Sequence, residues 1–157
     1  MYCMYVFRCL ELLLSMLSAT GVSVKEVDRR VRILIADDYP AIRKSVRYTL
    51  EDNPRFEVCG EAEDGAEAIE KAHRLKPDVV ILNVSMPVLN GFDAAREIKA
   101  SLPETAIVIL SSHADQRFIE EARKIGVRAY VAKTEAGKTL VKAIEAALKG
   151  DDFVLME

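Results

Sequence analysis

The side chains able to do chemistry in this 157-residue chain are few and regularly spaced. Asp37 and Asp38 follow one apolar run, Asn83 closes another, Ser111 and Ser112 a third, and Lys133 comes just after a fourth. Adjacent carboxylates beside a third oxygen ligand are what a hard cation such as Mg2+ requires. That cation, the Lys133 ammonium and the Ser111 hydroxyl could together neutralise or hydrogen-bond the oxygens of a phosphoryl group. Each residue alone has a plainer reading. Asp38, before Tyr39-Pro40, can cap a helix, Ser111 or Ser112 can cap another, and a lysine after a strand is ordinarily solvated. His113 reads as a loop residue, since no second histidine or cysteine is placed to join it as a ligand. His73 precedes Leu75-Lys76-Pro77 and suits the negative end of a helix dipole better than catalysis. Cys3, Cys9 and Cys59 lack CxxC and Cys/His ligand spacing and read as free thiols of a reducing compartment.

Whether these residues meet depends on the elements that carry them. Short β-branched runs occur at 32–36, 56–59, 79–82, 107–110 and 129–131. Between them the apolar residues recur at helical spacing. Ile42, Val46 and Leu50 form one stripe, Ala66, Ile69 and His73 a second, and Ala94, Ala95 and Ile98 a third. Leu140, Val141, Ile144, Ala147 and Leu148 line the last helix. Five strands alternating with five helices predict a doubly wound α/β fold, a five-stranded parallel sheet covered on both faces. Right-handed crossovers and the strand order 2-1-3-4-5 are the common solution. In such sheets ligands bind beyond the carboxyl ends of the strands, at the switch in strand order. Asp37, Asp38, Asn83, Ser111 and Lys133 all stand there, so two carboxylates, an amide, a hydroxyl and an ammonium converge on one rim.

Composition agrees with a globular domain: half the residues are hydrophobic and 30% are charged. A net charge of −3 supplies no blanket basic surface for nucleic acid. The absence of tryptophan and 6% aromatic content leave few base-stacking side chains. Residues 1–30 differ from the rest. Their apolar stretch is interrupted by Arg8 and Glu11, too short for a membrane span and unlike the clean middle of a signal peptide. Leu10, Leu13, Leu14 and Leu17 allow an amphipathic helix, and a mis-assigned translation start is the other reading. The expected organisation is an extension over 1–30, the domain over 31–153 and a tail over 154–157, in a cytoplasmic protein.

The stretches ILIADDYPAIR, GEAEDGAEAIE, KPDVVILNVSMPVLNGFDAAREIK, VILSSHAD and GVRAYVAKTEAGKTLVKAI resemble the receiver domain of two-component response regulators, with a NarL/FixJ-like flavour. The resemblance covers about 31–153 and is most specific in the Met-Pro-x-x-Asn-Gly segment at 86–91. It implies a flavodoxin-like receiver fold and assigns roles to individual residues. Asp37 and Asp38 match the acidic Mg2+-binding pair, and the backbone carbonyl of Ser85 matches the third metal contact. Ser111 matches the switch hydroxyl, Tyr130 the aromatic switch position, and Lys133 the lysine that contacts the phosphoryl group. It also implies a histidine kinase or other signalling protein as partner.

One departure matters most: Asn83 stands where the family's phospho-accepting aspartate should be. A carboxylate is the nucleophile that forms an acyl phosphate, and an amide oxygen is far weaker. Asn83 also removes one negative charge from the metal site, so Mg2+ held by Asp37, Asp38, Asn83 and Ser85 is expected to bind more weakly. Thr134 follows Lys133 where many receivers have proline, which favours a trans bond. The segment after the receiver match is too short to supply the helix-turn-helix output of this flavour, so no direct DNA binding is expected. The reading is a stand-alone degenerate receiver, not an enzyme, acting through protein contacts. A homodimer or partner would use the face of the fourth helix, fifth strand and fifth helix, with Ala122, Ile125, Tyr130, Thr139, Lys142 and Ala143. The alternative is a conventional phospho-receiver in which Asn83 is an engineered or erroneous substitution. A Mg2+-dependent phosphohydrolase is remote, because Asp37-Asp38-Tyr39 lacks the Asp-x-Asp arrangement such enzymes use.

Overall fold

The computed structural model describes residues 29–113, 115–150 and 152–156. The expectations for the N-terminal extension lie almost wholly outside the described residues. From Val31 the chain alternates strand and helix: β1 Val31–Ala36, α1 Pro40–Glu51, β2 Phe56–Ala62, α2 Gly65–Leu75, β3 Val79–Leu82, α3 Gly91–Ser101, β4 Ala106–Ser111, α4 Gln116–Ile125, β5 Ala129–Ala132, α5 Ala136–Lys149 and β6 Val154–Met156. All pairings are parallel, in the order β2-β1-β3-β4-β5-β6. The doubly wound sheet and the order of its first five strands are as the sequence predicts.

Among the described residues the strands number six, where five were expected. Val154–Met156, expected as a tail, pairs with Ala129–Val131 of β5. β2 also runs three residues beyond the expected 56–59. Its register with β1 slips between Ile33 and Leu34, so that Ile33 faces Val58 while Leu34 faces Gly60. Cys59 is thus the extra residue of a bulge, which bends an edge strand. It is a free, half-buried thiol, and burial pushes its pKa up.

Side chains alternate across the strands and divide the interior into two cores. On one face Ile33, Ile35, Val79, Ile81, Val108 and Leu110 meet α1 through Val46 and Leu50, and α5 through Leu140, Ala143, Ile144 and Ala147. On the other, Leu34, Ala36, Val80, Leu82, Ile107 and Ile109 meet α2, α3 and α4 through Ala68, Ala72, Ala94, Ala95, Ile98, Ile119 and Ala122. β3 and β4 are buried along their whole length, as central strands covered on both faces must be. Three of the predicted helix stripes face these cores. The second does so only through Ile69: α2 buries Gly65, Ala68 and Ala72, while Ala66 and His73 are exposed. Alanines at both 66 and 68 leave the apolar period of that segment ambiguous by one residue, and the small side chains at 68 and 72 fit the closer approach to the sheet. His73 sits in the last turn of α2, at the negative end of the helix, with its Nε2 3.0 Å from Ser101 Oγ. Among the described residues no helix is long and apolar enough to cross a membrane.

Candidate functional site

The carboxyl ends of β1, β3, β4 and β5 are drawn together by backbone hydrogen bonds that extend the ladder past the regular strands. Asp37 N–H donates to Ala62 O at 3.1 Å, Asn83 N–H to Ala36 O at 2.9 Å, and Lys133 N–H to Ser111 O at 2.8 Å. Asp37, Asn83, Ser111 and Lys133 are therefore placed by the sheet itself. Asp37, Asn83 and Ser111 are buried.

Asp37 is held from three sides. Its Oδ1 accepts from Tyr39 N–H at 3.0 Å, its backbone carbonyl accepts from Arg43 Nη1 at 2.7 Å, and its Oδ2 lies 2.6 Å from Lys133 Nζ. The Lys133 contact is an ion pair without hydrogen-bond alignment, and among the described residues Oδ2 has no hydrogen-bond donor. This buried oxygen thus depends on charge alone. Lys133 is not the solvated surface lysine of the plainer reading: its side chain is 14% exposed.

Asn83 joins two other parts of the rim. Its Nδ2 donates to Asp38 Oδ1 at 3.0 Å and to the Ser85 backbone carbonyl at 2.7 Å. Asp38 does not cap α1; the cap residue is Tyr39, with no side-chain bond to the helix. Nor does Ser111 cap α4. Its Oγ accepts from His113 N–H at 3.1 Å, while Tyr130 donates its hydroxyl to the His113 carbonyl. Burial pushes the Tyr130 phenol up from its ordinary value, against a smaller downward effect of its bond with Ser111. The segment after β4 is thereby tied to β5 by a fully buried aromatic side chain. The Lys133–Thr134 peptide is trans.

The sequence reading misses two features of the site and the reason for a third, the Gly91 of its 86–91 motif. Arg43, on the buried face of α1, donates to Glu61 at 3.0 Å and to Glu63 at 3.0 Å as well as to the Asp37 carbonyl. An arginine between Ile42 and Val46, ahead of two glutamates at the end of β2, is the signal that could have found it. Gly91 starts α3 where a Cβ would lie 2.0 Å from the Asn83 carbonyl oxygen, so the backbone of the rim requires glycine there. Val88 sits at φ 64°, and Leu89 N–H donates to Pro87 O at 2.7 Å, a γ-turn centred on a β-branched residue that is 84% exposed. The predicted docking face is corrected in part: Ala122, Tyr130 and Ala143 are buried in the two cores, leaving Ile125, Thr139 and Lys142 nearer the surface.

Of the four residues expected to hold Mg2+, Asp38, Asn83 and Ser85 are joined by hydrogen bonds while the Asp37 carboxylate is bonded to Tyr39 and Lys133, and the arrangement does not fit a divalent cation as it stands. The Asp38 carboxylate and the Ser85 carbonyl both accept from the Asn83 nitrogen. The buried Asp37 oxygen faces an ammonium instead. Among the described residues no three His, Cys, Asp or Glu side chains gather as a metal-binding group. The cleft lined by Pro77, Asp78, Leu102 and Thr105 opens at the opposite ends of β3 and β4 and holds none of these groups.

Comparison with known proteins places this geometry in a family. The response regulator receiver domain matches residues 33–145. YxjL, an uncharacterized transcriptional regulatory protein of Bacillus subtilis, is 36% identical over 122 residues, which are 78% of this chain and 56% of YxjL. The chain spans little more than half the length of the curated relatives it matches first. Among solved structures, a LuxR-family response regulator from an Aurantimonas species superposes with a TM-score of 0.75 at 32% identity, covering 79% of this chain and 89% of that one. The NarL signal receiver domain from Mycobacterium tuberculosis gives a TM-score of 0.74 at 30% identity, covering 78% and 98%. The chain belongs to the response regulator receiver domain family.

Proposed function

We infer that this chain is a receiver module of a two-component system that signals without aspartyl phosphorylation. The observation that carries the reading is Asn83, buried at the end of β3 with its nitrogen turned towards Asp38 and Ser85. Acyl-phosphate formation needs a carboxylate oxygen as nucleophile at that position. The side chain there is an amide, and its N–H groups are committed to the rim. The charge that would meet a phosphoryl group is also committed, since Lys133 lies on Asp37. Output then runs through protein contacts with a histidine kinase, another signalling protein or a second copy of the chain. The exposed parts of α4 and α5 around Ile125, Thr139 and Lys142 are the proposed surface, and direct DNA contact by this domain is not part of the reading.

The experiment is intact mass of the chain after incubation with Mg2+ and a small acyl-phosphate donor. The unmodified mass is expected throughout. A labile adduct on Asp38 would overturn the reading, and an acid-stable one on Ser85 or Ser111 would replace it with phosphorylation of that hydroxyl.

A further inference from the structure

The Asn83 amide does more than fail as an acceptor. Its nitrogen lies between oxygens of two different segments, the Asp38 carboxylate after β1 and the Ser85 carbonyl after β3. Both partners are pure acceptors, which dictates the amide's orientation. Reversed, its oxygen would face two further oxygens with no proton between them. A carboxylate and a carbonyl aimed at one point call for a cation or a donor at that point. Here the donor is part of the chain.

The charges point the same way. Asp37 and Asp38 contribute two negative charges and Lys133 one positive charge, already placed 2.6 Å from Asp37 Oδ2. An acidic side chain at position 83 would leave three carboxylates against one ammonium. The amide leaves a single unpaired carboxylate, Asp38, and answers it with its own N–H.

We propose that the Asn83 amide takes the place of the divalent cation, a built-in latch that ties Asp38 to Ser85 and holds the rim in one geometry without metal. The proposal rests on the reading of Asn83 given above and deepens it. For Mg2+ to bind, the latch must open: two hydrogen bonds break, one of them to a charged carboxylate, and the amide must turn over. Removing the amide should therefore help the cation. Were the Asn83 oxygen a metal ligand, its removal would hurt.

The opposite signs make the test. The full chain, Asn83→Ala and Asn83→Asp are titrated with millimolar MgCl2 against NaCl of matched ionic strength, following Tm and the side-chain amide resonances of Asn83. The unaltered chain is expected to show no Mg2+-specific rise in Tm, and two distinct Nδ2 proton signals that stay in place. Asn83→Ala should start lower in Tm and gain a response to Mg2+. Asn83→Asp should gain the larger one, about 5 °C once Mg2+ exceeds its Kd about tenfold. A Mg2+-dependent rise in the unaltered chain that Asn83→Ala loses would make Asn83 a ligand and overturn the latch. Should Asn83→Ala not fold, the Nδ2 signals of the unaltered chain decide: indifference to MgCl2 supports the latch and displacement overturns it. Mg2+ binding by the unaltered chain without a phosphoryl adduct defeats the latch alone, whereas an adduct on that chain defeats the proposed function.

Discussion

Lys133→Met removes an ammonium from a carboxylate that has little else to meet it. The Asp37 side chain is 2% exposed, that of Lys133 is 14% exposed, and their charged atoms are 2.6 Å apart. At an effective dielectric of about 20, unit charges at that distance attract by about 6 kcal/mol. Desolvating both groups cancels much of this, so the pair itself is a poor measure of stability. Breaking it is another matter. Losing one partner of a buried pair costs about 3–5 kcal/mol, because the remaining charge is stranded. Lys133 keeps some contact with water, which favours the lower end, and we expect about 3 kcal/mol for Lys133→Met. Asp37→Asn retains an acceptor for Tyr39 N–H and leaves an ammonium that can turn outward, so it should cost about 1–2 kcal/mol. The double variant strands neither charge and should cost about 2 kcal/mol less than the sum of the two. Urea unfolding followed by far-ultraviolet circular dichroism, with the slope checked for constancy, reads all three. A cost below about 0.5 kcal/mol for Lys133→Met, or simple additivity in the double variant, would refute the reasoning by showing the pair to be solvated.

Other parts of the structure make sharper or simpler demands. Gly91→Ala places a Cβ 2.0 Å from the Asn83 carbonyl oxygen, and the backbone of either segment must move; a loss of about 3 kcal/mol or more in the same assay is expected. Val88→Gly relieves a β-branched residue at φ 64° in an exposed turn and should gain about 0.5–1 kcal/mol net of the added freedom of the unfolded chain. The pH dependence follows from Glu61 and Glu67. Burial pushes the Glu61 carboxyl up, but its bonds to Arg47 and Arg43 outweigh that, while the Lys71 bond leads the lowering at Glu67, so both folded values lie below the ordinary 4.5. Their contribution is complete above the unfolded value and is lost as pH falls through the lowered folded values. The urea midpoint should decline on that acid limb, and Glu61→Gln with Glu67→Gln should flatten it; an unchanged limb would remove these carboxylates from the account.

The sequence shows most clearly what the sheet decides. The apolar runs of β1, β3, β4 and β5 are legible because strands buried on both faces carry little else, and a polar residue just past each run marks the rim. β6 is not legible, because three residues are too few for an alternating pattern to declare itself, and Leu155 faces outward between half-buried Val154 and Met156. The extension of β2 is hidden by Gly60 and Glu61, whose place in the strand comes from tertiary contacts. Gly60 gives room to Leu75, and Glu61 is bonded by Arg43 and Arg47. At the site, residue types foretell which groups meet but not how they share protons. That Asn83 aims its nitrogen at Asp38 and Ser85, and that Lys133 rests on Asp37, depends on orientations only the folded rim sets. The docking face is the weakest inference from sequence, since Ala122, Tyr130 and Ala143 serve the cores before any partner.

The claim that the amide at position 83 is what blocks phosphoryl transfer is tested most directly by restoring a carboxylate there. Asn83→Asp and the unaltered chain are treated side by side with Mg2+ and a small acyl-phosphate donor, and intact mass is recorded before and after mild base. One base-labile phosphoryl group, mapped to position 83 and present on the variant alone, is the predicted result. A phosphoryl group on the unaltered chain, or none on a folded Asn83→Asp variant, would contradict it.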